Sequence, residues 1–74
     1  MPRLSKDLVG AEPVDRGGQI VGPTQRIAVG ASYEITIPKL KGPADSFDEC
    51  WCEIRVEGQL YRVSLRALEM ARVA

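Results

Sequence analysis

No histidine occurs anywhere in the 74 residues, which removes the commonest general base and metal ligand. Ser-His-Asp and Cys-His sets go with it, and neither G-x-x-x-x-G-K-[ST] nor G-x-G-x-x-G is present. The thiols number two, Cys50 and Cys52, too few for the four ligands of a structural zinc site. Spaced i, i+2 on a strand, they would lie roughly 6.6 Å apart in line, a poor disulfide geometry. They read as small apolar residues buried together on one strand face. Nor is there a charge of one sign: ten basic and ten acidic side chains cancel, four against four through Ile37 and six against six beyond it. A nucleic-acid reader needs clustered Lys and Arg to displace counterions, so the balance disfavours that class. No apolar run approaches the roughly eighteen residues of a membrane helix. The first sixteen residues lack the apolar centre of a signal peptide. Together with the cysteine usage, this leads to the expectation of a cytoplasmic protein that needs neither membrane nor cofactor.

Residues 49–72, ECWCEIRVEGQLYRVSLRALEMAR, carry the strongest pattern that is present. From Cys50 to Glu57 the chain alternates, with Cys50, Cys52, Ile54 and Val56 on one face and Trp51, Glu53, Arg55 and Glu57 on the other. Tyr61, Val63 and Leu65 continue in phase after Gly58, so the stretch predicts a β-hairpin. A loop at Glu57-Gly58 sets Glu53 opposite Arg62, whereas a loop at Gly58-Gln59 sets Arg55 against Arg62. The first register is favoured, since like charges directly opposite are destabilising. Beyond Ser64, a plausible N-cap, the residues are good helix formers with one narrow charged stripe at Arg66, Glu69 and Arg72. A surface helix carries a wide polar face, so this one is expected to be buried on two sides or to cover a partner.

Upstream the pattern is weaker. Pro2, Gly10 and Pro13 interrupt residues 1–16, which read as an N-terminal arm, either frayed or reaching onto a neighbouring subunit. Short strands are expected at Gln19–Val21, Arg26–Val29 and Tyr33–Ile37, the last ended by Pro38. Lys39 to Glu49 is the longest connector, with Phe47 as a core plug and Asp45, Asp48 and Glu49 as a solvated acidic cluster. The expected fold is therefore mainly β. Residues 17–74 would form a small five-stranded SH3-like barrel with a short C-terminal helix. An OB-like barrel or a small α+β arrangement is the alternative.

One resemblance bears on this. Gln59-Leu60-Tyr61, with Val63 and Ala67-Leu68-Glu69, is similar to the tail of plasmid-borne type II dihydrofolate reductases, and Gly17-Gln19-Ile20-Val21-Gly22 is similar to one of their strands. The resemblance implies SH3-like architecture. Carried further, it would nominate Gln59, Leu60 and Tyr61 as residues lining a pore shared between subunits. Gly58 stands where that family has valine, and two extra residues interrupt the tail, so the likeness is used for architecture and not for folate chemistry.

The functional expectation is a non-enzymatic protein-interaction or assembly module. A phage structural or accessory protein, or a small subunit of a larger particle, would suit it. Its contacts would be a protein partner or a second copy, through Trp51, Leu68, Met70 and Val73. The alternative is a nucleic-acid-binding barrel stacking bases on Tyr33, Trp51 and Tyr61 beside Arg55, Arg62 and Arg66, and the third reading, which only the resemblance implies, is a multimeric reductase of the type II dihydrofolate reductase kind.

Overall fold

A computed structural model describes residues 2–40 and 50–72. The elements are β1 (Leu8–Val14), β2 (Gln25–Ile27), β3 (Glu34–Leu40), β4 (Trp51–Val56), β5 (Gln59–Ser64) and α1 (Leu65–Arg72). Glu57 and Gly58 both take positive φ, 49° and 83°, the signature of a two-residue type I′ turn. That turn fixes the favoured register, with Glu53 opposite Arg62, Ile54 opposite Tyr61 and Val56 opposite Gln59.

The strands form one antiparallel sheet in the order β2-β1-β5-β4-β3. The fold is thus mainly β with one short C-terminal helix, as expected. Among the described residues the sheet does not close, because β2 and β3 remain its two edges. Both edges are blunted against pairing with another chain. β2 is three residues long. β3 carries two register shifts against β4 and Pro38, which offers no N–H. Pro38 does not end this strand, which runs on to Leu40; an edge position tolerates proline.

The N-terminal arm is a correction. Residues 8–14 form β1, hydrogen-bonded between β2 and β5. Both apparent breakers fit the ladder. Gly10, at φ 80°, sits where pairing with β2 shifts register, as in a β-bulge. Pro13 opposes Tyr61 on β5, and its carbonyl, turned to the other side, accepts from Val21 N–H at 2.9 Å. A strand residue's N and C=O point the same way, so the missing N–H falls where the β2 ladder has already ended. Earlier still, Leu4 N–H donates to the Ala31 carbonyl (3.0 Å), Gly30 N–H to the Leu4 carbonyl (2.8 Å) and Tyr33 N–H to the Pro2 carbonyl (3.1 Å). Gln19–Val21 is not a strand; it makes one isolated bridge, Val14 to Ile20.

One face of the sheet wraps a core of Leu4, Leu8, Ala11, Ile27, Tyr33, Cys52, Ile54, Val56 and Val63, with Leu68 and Ala71 of α1 packed into it. Ser64 starts the helix as its N-cap, its Oγ accepting from Ala67 N–H at 3.4 Å. At the other end the Ala71 carbonyl accepts from Ser5 N–H, Lys6 N–H and Ser5 Oγ at 2.8, 3.1 and 2.8 Å. A helix end leaves carbonyls without intrahelical partners, and here the N-terminal segment supplies the donors. Cys50 precedes β4 and is exposed, so only Cys52 is the buried thiol. Burial pushes the Cys52 thiol up from its ordinary value, and the Arg72 charge pulls part of that back.

Candidate functional site

The four residues nominated as contacts separate. Trp51 does point away from the Cys52, Ile54 and Val56 face, yet it is only 9 % exposed. Leu68 is wholly inside the core. Both are corrections to the nominated patch: neither side chain is open to a partner. Met70 is exposed on α1. Val73, like Phe47 and the acidic Asp45, Asp48 and Glu49, lies outside the described residues. The helix buries one face, through Leu68 and Ala71.

Trp51 belongs to a layer on the outer face of the sheet. Cross-strand pairing puts Glu12, Arg62 and Glu53 in one row over β1, β5 and β4. Arg62 donates from Nε and Nη2 to Glu12 Oε1 at 3.1 and 3.0 Å, and its guanidinium lies 5.8 Å from the centre of the Trp51 ring. Glu53 is buried and accepts from Thr36 Oγ1 at 2.6 Å. An ion pair this far from water holds only when each charge keeps its partner, so the row is structural. The Trp51 Nε1 donor is buried with no hydrogen-bond partner among the described residues.

The base-stacking arrangement also fails to assemble. Tyr33 is buried in the core, Tyr61 packs against it, and Trp51 is covered. Of the matching arginines, Arg62 is engaged as above and Arg55 pairs with Glu34 at 2.7 Å.

Open surface with shape occurs at the tip of the β4–β5 hairpin. There Val14, Leu60 and Arg55 come into cross-strand register on the outer face of β1, β5 and β4. The loop after β1 rises beside them. Asp15 builds that loop: its Oδ1 accepts from Gly17 N–H at 2.9 Å and Gln19 N–H at 3.0 Å, and its carbonyl accepts from Gly18 N–H at 3.0 Å. An aspartate bonding to backbone two residues on is a standard loop device. The result is a groove of about 390 Å³ whose accessible apolar lining is Val21 and Leu60, with Val14 in its wall but buried, and whose charged lining is Asp15, Arg16 and Arg55. Val21 is 58 % exposed there. A second groove, about 470 Å³, shares Arg55 and Gly58 with the first and adds Arg3, Glu57, Gly30, Ala31 and Ser32. Neither Arg3 nor Arg16 has an ion pair among the described residues.

Sequence reasoning missed this place. The available signal was Ile20-Val21, an apolar pair between Gly17-Gly18 and Gly22-Pro23, which reads as a strand and is instead left on the surface. Of the three residues that the reductase resemblance nominated, Gln59 turns its amide onto the Val14 and Leu60 carbonyls at 3.0 and 2.9 Å. Tyr61 packs toward the core with its hydroxyl 3.4 Å from Gln25 Oε1. Gln59 and Leu60 both line the groove, and Tyr61 does not.

Among the described residues, no three His, Cys, Asp or Glu side chains gather as a metal site, and no helix is long and apolar enough to cross a membrane. No family model, no curated protein and no solved structure matches the chain.

Proposed function

We propose that this chain is a non-enzymatic protein-interaction module whose partner docks at the tip of the β4–β5 hairpin. The observation that carries the reading is the groove itself. Val21, which is exposed, and the half-buried Leu60 give it an accessible apolar surface beside Arg16, which has no ion pair among the described residues, while the sheet edges are blunted and the Trp51 layer is covered. Apolar anchors surrounded by polar groups are how binding surfaces concentrate their energy. A small subunit of a cytoplasmic assembly, a phage particle included, is the setting that this reading suits. A domain of this size buries about 60 % of its unfolded surface and gains stability from any partner that binds only its folded form.

Selection from a random peptide library against the intact chain tests the site. Peptides enriched on the wild type are expected to lose binding to Val21→Asp, a substitution at an exposed loop position that leaves the core untouched. Enriched peptides that bind Val21→Asp as tightly as wild type would place the docking surface elsewhere.

A further inference from the structure

The two ends of α1 are held by different parts of the chain. Its start is pinned to the sheet, where Leu65 N–H donates to the Cys50 carbonyl at 2.8 Å and Ser64 caps the first turn. Its end is pinned to the segment before β1, through the three donors that Ser5 and Lys6 aim at the Ala71 carbonyl. That segment is a strap outside the named strands. The bonds of Pro2 and Leu4 with residues 30–33 and the isolated Arg3–Ser32 bridge tie it to the turn before β3, and buried Leu4 anchors it. Between its ends the helix has little of its own to hold it. Isolated helices shorter than about 12–15 residues are marginal in water, and this one has eight. Its buried side chains are Leu68 and Ala71, with Leu65 and Ala67 partly buried nearer the start. β5, by contrast, is laddered to β4 on one side and to β1 on the other. Segments with few buried contacts open before the rest of a fold. In the core that the helix packs into, Cys52 is clustered with Leu68 and Ala71 and keeps no exposure to water. The Arg72 charge at the helix end lies close enough to act on its thiol.

We infer that α1 is a lid, hinged at Ser64–Leu65 and latched at Ser5, which lifts off the sheet while β1, β4 and β5 stay paired and uncovers Cys52 as it lifts. The closed state hides the thiol, and the open state presents it on an apolar strip that also carries Val63. The latch is the part that gives way. Ser5 and Lys6 are exposed, so water competes for the bonds they make to Ala71, and the net worth of a hydrogen bond in that competition is small. The hinge is firmer, because it continues directly from β5 and is bonded to the residue that opens β4. The inference is independent of the docking reading. α1 follows β5 at Ser64, opposite Trp51, at the far end of the hairpin from Glu57 and Gly58.

The test uses the full chain carrying Cys50→Ser, which leaves Cys52 as the one thiol, and follows its labelling by a maleimide as urea is raised from zero. A lid exposes far less surface than unfolding does, and the urea slope scales with the surface exposed. Labelling at low urea is therefore expected to depend weakly on urea and to join the steep global line only near the unfolding transition. Ser5→Ala, which removes the hydroxyl donor, should speed low-urea labelling about fivefold. Ser5→Pro also removes the amide donor and should speed it further; where that variant does not fold, Ser5→Ala carries the test. Arg62→Met, on the outer face of the sheet, should speed global unfolding and leave low-urea labelling at the rate of the Cys50→Ser chain. A steep urea dependence at every concentration would mean that Cys52 is reached only by unfolding the whole chain, and the lid would be wrong. Low-urea labelling that Arg62→Met speeds as much as Ser5→Ala does would contradict it equally. Shallow labelling that no Ser5 variant changes would overturn the latch.

Discussion

On the inner face of the sheet, Cys52, Ile54 and Val63 keep no exposure to water; on the outer face, Trp51 and Glu53 keep 9 % each. The degree of burial is similar and the means are opposite. Inner residues need only be apolar and of fitting volume, because transfer from water is non-directional. The charged outer residues must each keep a named partner: Arg62 with Glu12 and the Trp51 ring, Glu53 with Thr36. The inner face sets the fold, and the outer face decides which surface a partner can reach. With the middle of that face shut by its own chain, the hairpin tip is left as the open end.

The comparison can be broken by substitution. The largest effect is expected from Ile54→Ala, which opens a cavity in the core and should cost about 2–5 kcal/mol in urea unfolding. Arg62→Met comes next. It leaves Glu12, itself mostly buried, without its counter-charge and should cost about 2 kcal/mol, less than a fully buried broken pair because some water reaches it. Combining it with Glu12→Gln should recover part of that loss, so a double-mutant cycle showing simple additivity would contradict the outer-face account. A smaller and opposite effect is expected at the turn joining the two strands. Glu57 holds φ 49° without being glycine, so Glu57→Asn should stabilise by roughly 0.5–1 kcal/mol, asparagine being favoured in type I′ turns.

The smallest effect concerns pH. Burial raises the Cys52 thiol above its unfolded value, so its contribution is fully present below the unfolded thiol range. It is lost as pH rises through the folded value, because the unfolded chain then ionises first. Stability should therefore fall in mildly alkaline solution, and Cys52→Ala should flatten that slope. Cys50, being exposed, should meanwhile react readily with a thiol reagent in the native state.

The hairpin and its helix were legible because every local rule there agreed: alternation, a glycine turn, one register free of like charges, a serine cap. β1 was not, since Gly10 and Pro13 each signal a break when read alone. Only the ladder shows that one is a bulge and that the other turns its missing N–H to the side where pairing with β2 has ended. The outward direction of Trp51 was readable from alternation, but its burial was not, because period-two patterning reports a face and says nothing of what lies over it. Leu68 was misplaced for a related reason. A helix with little polar surface suits an internal face or a partner face alike, and here Leu68 took the core while Met70 took the solvent. The groove joins Val14, Val21, Arg55 and Leu60, residues brought together by β1–β5 pairing that no stretch of sequence announces.

Whether the outer face is shut is the point on which the docking site depends, and Trp51 is the only tryptophan in the chain. Its fluorescence in the free, monomeric protein reports on it directly. A covered indole should emit at short wavelength, resist quenching by iodide and acrylamide, and show the exposed signature only after denaturant unfolds the chain. Emission at the wavelength of free tryptophan, quenched as easily before unfolding as after, would mean that the outer face is open and that the hairpin tip has lost its claim.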